Sequence, residues 1–172
     1  MACPFNDVWT LDCNDAIGGI QRILVKSFDP AQTYTFDTDG KILTGAILET
    51  FYEFFQKPEL SGFNFEGQTS NENGTTFYNQ TLDLVFHKYQ AKLRDLLYAL
   101  AITPVTVLVQ SQTGLWFLMG EKNGAYTATQ TGGLGKAYGD LNGANVQMLA
   151  KNPTAPREAT SAYIATLTIV SS

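Results

Sequence analysis

Apolar and polar residues alternate along most of this chain with the period of β-strands, and the period changes only once. Residues 75–86 form the longest alternating segment and are predicted to be a strand. Directly after it, residues 88–101 carry apolar side chains at helical spacing, and Pro104 prevents the helix from continuing. The pattern therefore predicts a mainly β protein, an antiparallel β-sandwich or barrel with one flanking α-helix over residues 88–101.

Shorter apolar segments bounded by turn residues predict the remaining strands. Asp37–Thr38–Asp39–Gly40 separates two short segments and supplies the Asp–Gly pair that tight hairpin turns prefer. Residues 68–74 are predicted to be a polar loop. Residues 131–143, with five glycines, predict a flexible loop that bends sharply or approaches another backbone closely. The predicted strands are residues 20–28, 34–36, 42–44, 49–55, 63–66, 105–109, 115–119, 125–129, 146–150 and 163–170.

The length of 172 residues suits a single domain over residues 1–172, with a core large enough to need no metal or disulfide. Within it we distinguish an N-terminal leader of residues 1–17. Residues 31–47 are expected to form a protruding arm, and residues 152–172 a C-terminal extension.

Composition narrows the classes of partner. Charged residues make up only 16% of the chain, below the roughly 25% of typical soluble proteins, and neutral polar residues replace them. Such a surface is typical of a subunit that buries much of itself against copies. The net charge of −5 disfavours tight binding to nucleic acid, which depends on Lys and Arg. A weakly acidic wall would instead let DNA slide past.

The chain is expected to be made in a cytoplasm and to stay soluble. Its start lacks the basic and apolar regions of a secretory signal, and no apolar run approaches the roughly 20 residues that span a bilayer. Cys3 and Cys13 are too few for a disulfide framework and lack the spacing of a zinc site. We interpret them as two reduced thiols.

No set of residues predicts catalysis or a cofactor. The glycine-rich segment lacks the first glycine and the final hydroxyl residue of a phosphate-binding loop. His87 is the only histidine, and no carboxylate at a recognisable spacing would orient it. We expect no enzyme and no cofactor.

Two pairs of acidic residues are candidate sites. Glu49 and Glu53 could form a glycosidase pair, but four strand residues separate them by roughly 13 Å, more than the roughly 9.5 Å of an inverting pair. Asp37 and Asp39 resemble the start of a calcium loop, but Lys41 occupies the next ligand position. We expect no metal and a plain hairpin turn.

Aromatic residues leave a second function open. Trp9, Trp116, Tyr126 and Tyr138 could form a platform on which sugars stack, although Trp116 lies in an apolar strand and is more simply core. A carbohydrate- or cell-surface-binding β-domain is therefore the alternative.

The order of segments resembles that of a known family. Gly18–Gly19 opens the first strand, the hairpin arm follows, and NGTTFYNQTLDLVF leads into the helix. PVTVLVQSQTGLWFLMGEKNG and the GDLNG turn before VQMLA come next. Over residues 18–151 this succession resembles the major tail (tube) proteins of tailed bacteriophages and related tube or ring components.

The resemblance implies a virion structural protein, located in the tail and made in the host bacterial cytoplasm. Six copies would close a ring by pairing strands, and rings would stack into a tube that carries DNA without binding it specifically. The implied partners are further copies and other tail proteins, with no membrane. Residues expected to contact neighbouring subunits are Asp39, Gly40, Ile42, Tyr163 and Ile164. Residues expected to face the lumen are Glu49, Glu53 and Asp83.

Overall fold

Residues 16–171 are described by the computed structural model, so Cys3, Trp9, Cys13 and almost all of the predicted leader of residues 1–17 lie outside the described residues. Within this range the chain forms twelve strands and two helices. The strands are β1 (Ile20–Ser27), β2 (Tyr34–Phe36), β3 (Ile42–Gly45), β4 (Thr50–Phe54), β5 (Gly62–Ser70), β6 (Thr75–His87), β7 (Val105–Ser111), β8 (Trp116–Met119), β9 (Ala125–Gly133), β10 (Gly143–Asn152), β11 (Arg157–Ala159) and β12 (Thr168–Val170); the helices are α1 (Ala91–Ile102) and α2 (Ser161–Thr166).

The strands form one continuous sheet that folds into two layers. The first layer has the order β12-β4-β1-β7-β8-β11-β3-β2, and the second has the order β9-β10-β6-β5. The layers join where β7 meets β9, at the single pair Val105 and Ala125. All neighbours are antiparallel except β3 with β11 and β4 with β12. The predicted mainly β fold with a flanking helix is confirmed, and the two parallel pairs are an addition.

A first apolar core fills the space between the layers. Alternate side chains of β1 and β7, including Ile23 and Val107, point toward alternate side chains of β6 and β10, including Leu82 and Met148. All four are fully buried. This is the period-2 pattern that the sequence shows, because successive residues of a strand face opposite sides of the sheet.

A second core lies on the opposite face of the first layer. Leu24 and Leu108, the other-face residues of β1 and β7, pack there with Phe51 of β4, Ile42 of β3 and Tyr163 of α2. The central strands are therefore covered on both faces, which explains why β7 is almost continuously apolar.

Helix α1 begins three residues later than predicted. Lys88 has a positive φ of 63° and Gln90 is extended, so the helix starts at Ala91. It ends at Ile102, before the extended Thr103 and Pro104. Leu93 and Leu100 are its buried positions. Neither described helix is both long and apolar enough to cross a membrane.

The predicted strand over residues 163–170 is wrong in its first half. Residues 161–166 form helix α2, which begins where the Thr160 hydroxyl accepts a hydrogen bond from the Tyr163 amide at 3.3 Å. Only Thr168–Val170 is a strand, parallel to β4. Burial of Tyr163 in the second core outweighs the β propensity of this segment.

The predicted loop over residues 68–74 is shorter than expected, because β5 continues to Ser70 and β6 begins at Thr75. β10 pairs with β6 only as far as Tyr78. Residues 68–77 therefore form a two-stranded tip that extends beyond the rest of the second layer.

The glycine-rich loop is also shorter than predicted, since β9 reaches Gly133 and β10 begins at Gly143. At Gly143 a Cβ atom would lie 1.9 Å from the carbonyl oxygen of Phe86. Gly135 has a φ of 75°, which permits the bend. Both expected roles of glycine, bending and close approach, occur within this segment.

Candidate functional site

The hairpin of residues 31–47 does not protrude. Its turn forms as predicted, with the Asp37 carboxylate accepting hydrogen bonds from the amides of Asp39 at 2.9 Å and Lys41 at 2.8 Å. Its second strand, β3, then pairs in parallel with β11, and Thr160 donates two hydrogen bonds to the Ile42 carbonyl. The predicted arm is packed against the C-terminal extension of its own chain, so the expectation of a free arm is corrected.

The five residues expected to contact neighbouring subunits fall into a buried group and a surface group. Ile42 and Tyr163 are brought together, but inside the second core, where they are 0% and 1% exposed. Fully buried side chains have no surface left for another subunit, and this corrects their expected role. Asp39 is exposed, and Gly40 and Ile164 are partly exposed, so these three remain on the surface.

Glu49 is not a lumen residue, because it is only 5% exposed. Its carboxylate forms an ion pair with Lys26 and accepts hydrogen bonds from the hydroxyls of Tyr34, at 3.3 Å, and Tyr163. Burial, and secondarily the neighbouring carboxylate, raises the pKa of both tyrosines well above the ordinary value near 10. Both hydroxyls therefore stay protonated and donate to Glu49 at neutral pH.

This buried cluster joins three distant parts of the chain. Lys26 belongs to β1, Tyr34 to β2 and Tyr163 to α2, and all three meet the carboxylate that precedes β4. Because each polar group has a partner, burial is tolerated. The cluster fixes the hairpin of residues 31–47 and the C-terminal segment onto the first layer.

Glu53 and Asp83, the other expected lumen residues, lie in different layers. Glu53 of β4 pairs with Arg22 at 2.6 Å, and this hydrogen bond raises the pKa of the Arg22 guanidinium. That guanidinium also lies 5.7 Å from the ring centre of Trp116. Asp83 of β6 accepts a hydrogen bond from Gln147 at 3.0 Å on the outer face of the second layer.

The outer face of the second layer has a composition that the sequence pattern did not predict. Strand residues alternate, so the neighbours of core residues Leu82 and Leu84 point outward, together with their cross-strand partners. Most of these outward side chains are polar, and two of them, Asp83 and Glu66, are acidic. The face comprises Asn64, Glu66 and Gln68 of β5, Phe77, Asn79, Thr81, Asp83 and Val85 of β6, and Asn145, Gln147, Leu149 and Lys151 of β10. Lys151, the one lysine of this set, lies opposite Asn79.

β5 forms the margin of this face and pairs only with β6 among the described strands. Its nine residues contain no proline and no lysine, the residues that usually protect an edge strand. Its central residues 64–69 are exposed, including Phe65 at 57%. A row of backbone N–H and C=O groups is therefore open to pairing with another strand.

The aromatic residues do not form one platform within the described residues. Trp116 is 7% exposed and belongs to the second core, as expected. Tyr126 and Tyr138 are exposed. Tyr126 lies near the start of β9, however, while Tyr138 belongs to the loop that follows its last residue, Gly133. Seven strand residues separate Tyr126 from Gly133 by roughly 23 Å.

The geometry of the described residues gives no support to a catalytic site. His87 is exposed at the end of β6. Within residues 16–171, no three His, Cys, Asp or Glu side chains group closely enough to hold a metal ion.

Comparison with known proteins gives no family. No protein-family model matches the chain, and no curated protein matches it significantly.

Proposed function

We propose that this protein is a virion structural subunit that forms closed rings, hexameric in the simplest case, in the tail tube of a bacteriophage. Copies join through β5, the margin of the second layer. The outer face of that layer lines a lumen through which DNA passes. The protein acts with further copies and other tail proteins, without catalysis.

The observation that carries the proposal is the combination of a mostly polar face, which holds a single lysine, with an unprotected nine-residue margin. Pairing a strand with β5 would continue the sheet into the next copy, and the polar face would continue with it. Repeating the same heterologous contact produces a ring or a filament.

The face also has the chemistry that DNA passage requires. Phosphates are held by Lys and Arg, and counterion release makes such contacts strong. On this face Lys151 is the one lysine, and the amide and hydroxyl side chains and the two carboxylates of Glu66 and Asp83 supply no such contact. Of the three predicted lumen residues, Asp83 alone lies on this face, and Glu66 joins it.

The test is the particle formed by the purified chain over a concentration series, measured by analytical ultracentrifugation and negative-stain electron microscopy. We expect rings or tubes. Asn64→Lys combined with Gln68→Lys places two like charges on each exposed margin and should leave monomers, because repeated lysines protect edge strands.

A matched control is Asn145→Lys combined with Gln147→Lys. These positions lie on the same face, but β10 is paired on both sides. The control should still assemble. Persistent monomers of the native chain at high concentration, or equal assembly of both variants, would refute the proposal. The spacing of Tyr126 and Tyr138 gives no support to the carbohydrate-binding alternative.

A further inference from the structure

An open apolar groove of about 780 Å³ lies between the inner face of the first layer and helix α1. On the sheet side it is lined by Tyr52 and Phe54, which pair with the inward-facing Val25 and Ile23 of β1. Leu96 of α1 lies on the opposite side. A volume between roughly 300 and 1,000 Å³ is typical of sites that bind small molecules.

Large apolar side chains remain exposed along this groove. Phe55 is 78% exposed, Tyr52 54% and Val170 46%, and all three line it. Between them Phe54 and Phe86 meet edge to face, with ring centres 5.7 Å apart. Removing such apolar surface from water is favourable. An apolar occupant would therefore be stabilised here.

The groove also concentrates positive charge in an acidic protein. Six of the eleven Lys and Arg side chains lie within 4 Å of a carboxylate in residues 16–171: Arg22, Lys26, Lys41, Arg94, Lys122 and Arg157. Of the five others, Lys57, Lys88 and Lys92 line the groove, and all three are exposed. Two more charged lining residues, Lys26 and Glu53, already belong to ion pairs. The charge left for an occupant is therefore positive.

The three lysines lie at one end of the groove. Lys88 and Lys92 stand on either side of the start of α1 at Ala91. The side-chain oxygen of Gln56 accepts a hydrogen bond from the Val85 amide at 3.1 Å. Residue 57 therefore lies beside the end of β6, which residue 88 directly follows.

Away from this end the α1 side of the groove is apolar. The lining passes from Lys92 through Leu96 to Leu100, roughly 12 Å along the helix at a rise of 1.5 Å per residue. Leu100 and Val105, which also line the groove, are buried members of the first core. A ligand with an anionic head and an apolar chain would match the groove along its length.

The walls suit a hydrocarbon chain better than a peptide. β4 pairs with β1 on one side and with β12 on the other, and the backbone of α1 bonds within the helix. A peptide in the groove would bury N–H and C=O groups that find no backbone partner in these walls, which is costly. A hydrocarbon chain has no such groups to satisfy.

We propose that this groove binds one single-chain fatty acid as its carboxylate. The alkyl chain lies among Phe54, Phe86 and α1, and the carboxylate lies beside the three lysines. The site shares no residue with β5 or with the outer face of the second layer. Fatty-acid binding therefore goes beyond the proposed function and does not depend on ring formation.

Isothermal titration calorimetry of the full chain with laurate, below the concentration at which laurate forms micelles, tests the proposal. We expect saturable binding of one laurate per chain. Two ligands with the same alkyl chain test the head group: zwitterionic lauryldimethylamine oxide should bind about tenfold more weakly, and cationic dodecyltrimethylammonium more weakly still.

The lysines are tested by a matched pair of variants. Lys88→Gln with Lys92→Gln should raise the Kd for laurate about tenfold and leave the Kd for lauryldimethylamine oxide unchanged, because only the anionic head loses its partners. Lys136→Gln with Lys151→Gln removes two other lysines without a carboxylate partner among the described residues. This control should leave both Kd values unchanged.

A second pair tests the apolar wall. Phe55→Ser should weaken the binding of laurate and of lauryldimethylamine oxide alike, because both lose the same apolar contact. Phe55 is exposed, so this variant should fold. Tyr138→Ser removes an exposed aromatic residue outside the groove and should change neither Kd.

Several results would overturn the proposal. Absence of saturable laurate binding would leave the groove to a protein segment, and uptake only near micelle formation would mean unspecific adsorption to exposed apolar surface. Equal affinity for all three ligands, or an equal loss in both lysine variants, would refute the role of the lysines. Electron microscopy of the same protein tests ring formation separately, so either proposal can fail alone.

Discussion

The buried cluster around Glu49 predicts a large and specific loss of stability when its charge is removed. Glu49→Gln keeps the shape of the side chain but leaves the Lys26 ammonium, 9% exposed, without a counter-charge. Breaking a buried ion pair by removing one partner costs about 3–5 kcal/mol. Urea unfolding curves followed by circular dichroism measure this cost.

The size of the expected signal follows from the chain length. With a urea dependence of about 2 kcal/mol per M, the unfolding midpoint should fall by roughly 2 M. The thermal midpoint should fall by roughly 10 °C, at about 2–4 °C per kcal/mol for a chain of this size. The Tyr34 and Tyr163 hydroxyls donate to different oxygens of Glu49, and glutamine keeps only one of the two as an acceptor. The loss therefore combines the missing charge with one hydrogen bond.

Two comparison variants make the reasoning refutable. Adding Lys26→Met to Glu49→Gln removes the orphaned cation and should recover most of the stability, since apolar replacement of buried pairs is often neutral. Glu53→Gln breaks the pair with Arg22, whose side chains are 24% and 37% exposed, and should cost less than about 1 kcal/mol. A Glu49→Gln cost as small as that of Glu53→Gln, or a double variant less stable than Glu49→Gln alone, would refute the argument.

Two further predictions concern pH and packing. Burial raises the pKa of Tyr34 and Tyr163 in the folded state, so the stability that they contribute is complete below the unfolded-state pKa near 10 and is lost at higher pH. The free energy of unfolding should therefore fall with rising pH by up to about 1.4 kcal/mol per pH unit for each tyrosine. Tyr163→Phe should make this fall less steep. An unchanged slope in that variant would contradict the assignment. Gly143→Ala should destabilise by about 1–3 kcal/mol, because its Cβ would collide with the Phe86 carbonyl, whereas Gly139→Ala meets no atom within 4 Å and should be nearly neutral in thermal unfolding. Equal thermal midpoints for Gly143→Ala and Gly139→Ala would show that residue 143 does not closely approach the Phe86 carbonyl.

Alternation of apolar residues was sufficient for much of the fold. β6 and helix α1 were predicted within a few residues, because β6 runs through a core and α1 buries one stripe. Strands β7 and β8 also follow the predictions for residues 105–109 and 115–119. The segment over residues 163–166 was missed because the packing of Tyr163, and not its local propensity, decides that it is helical.

Less of the candidate site than of the fold could be predicted from the sequence. Glu49 and Glu53 were grouped as neighbours on one strand, yet one is enclosed by Lys26 and two tyrosines while the other remains partly exposed. β5 could have been extended to Ser70, since its polar end continues opposite β6, but its polarity resembles that of a loop. An unpaired margin becomes visible only once every strand has been assigned its neighbours.

The amino-acid sequence by itself determined that the chain is mainly β, where its long strand and helix lie, and that its surface is poor in charge. These properties follow from local periodicity and composition. Only the tertiary structure decided that residues 31–47 pack against residues 157–163 and that β5, at the margin of the second layer, has a single neighbour among the described strands. Such properties depend on contacts between residues far apart in the chain, and no local pattern of apolar and polar residues encodes which surfaces meet.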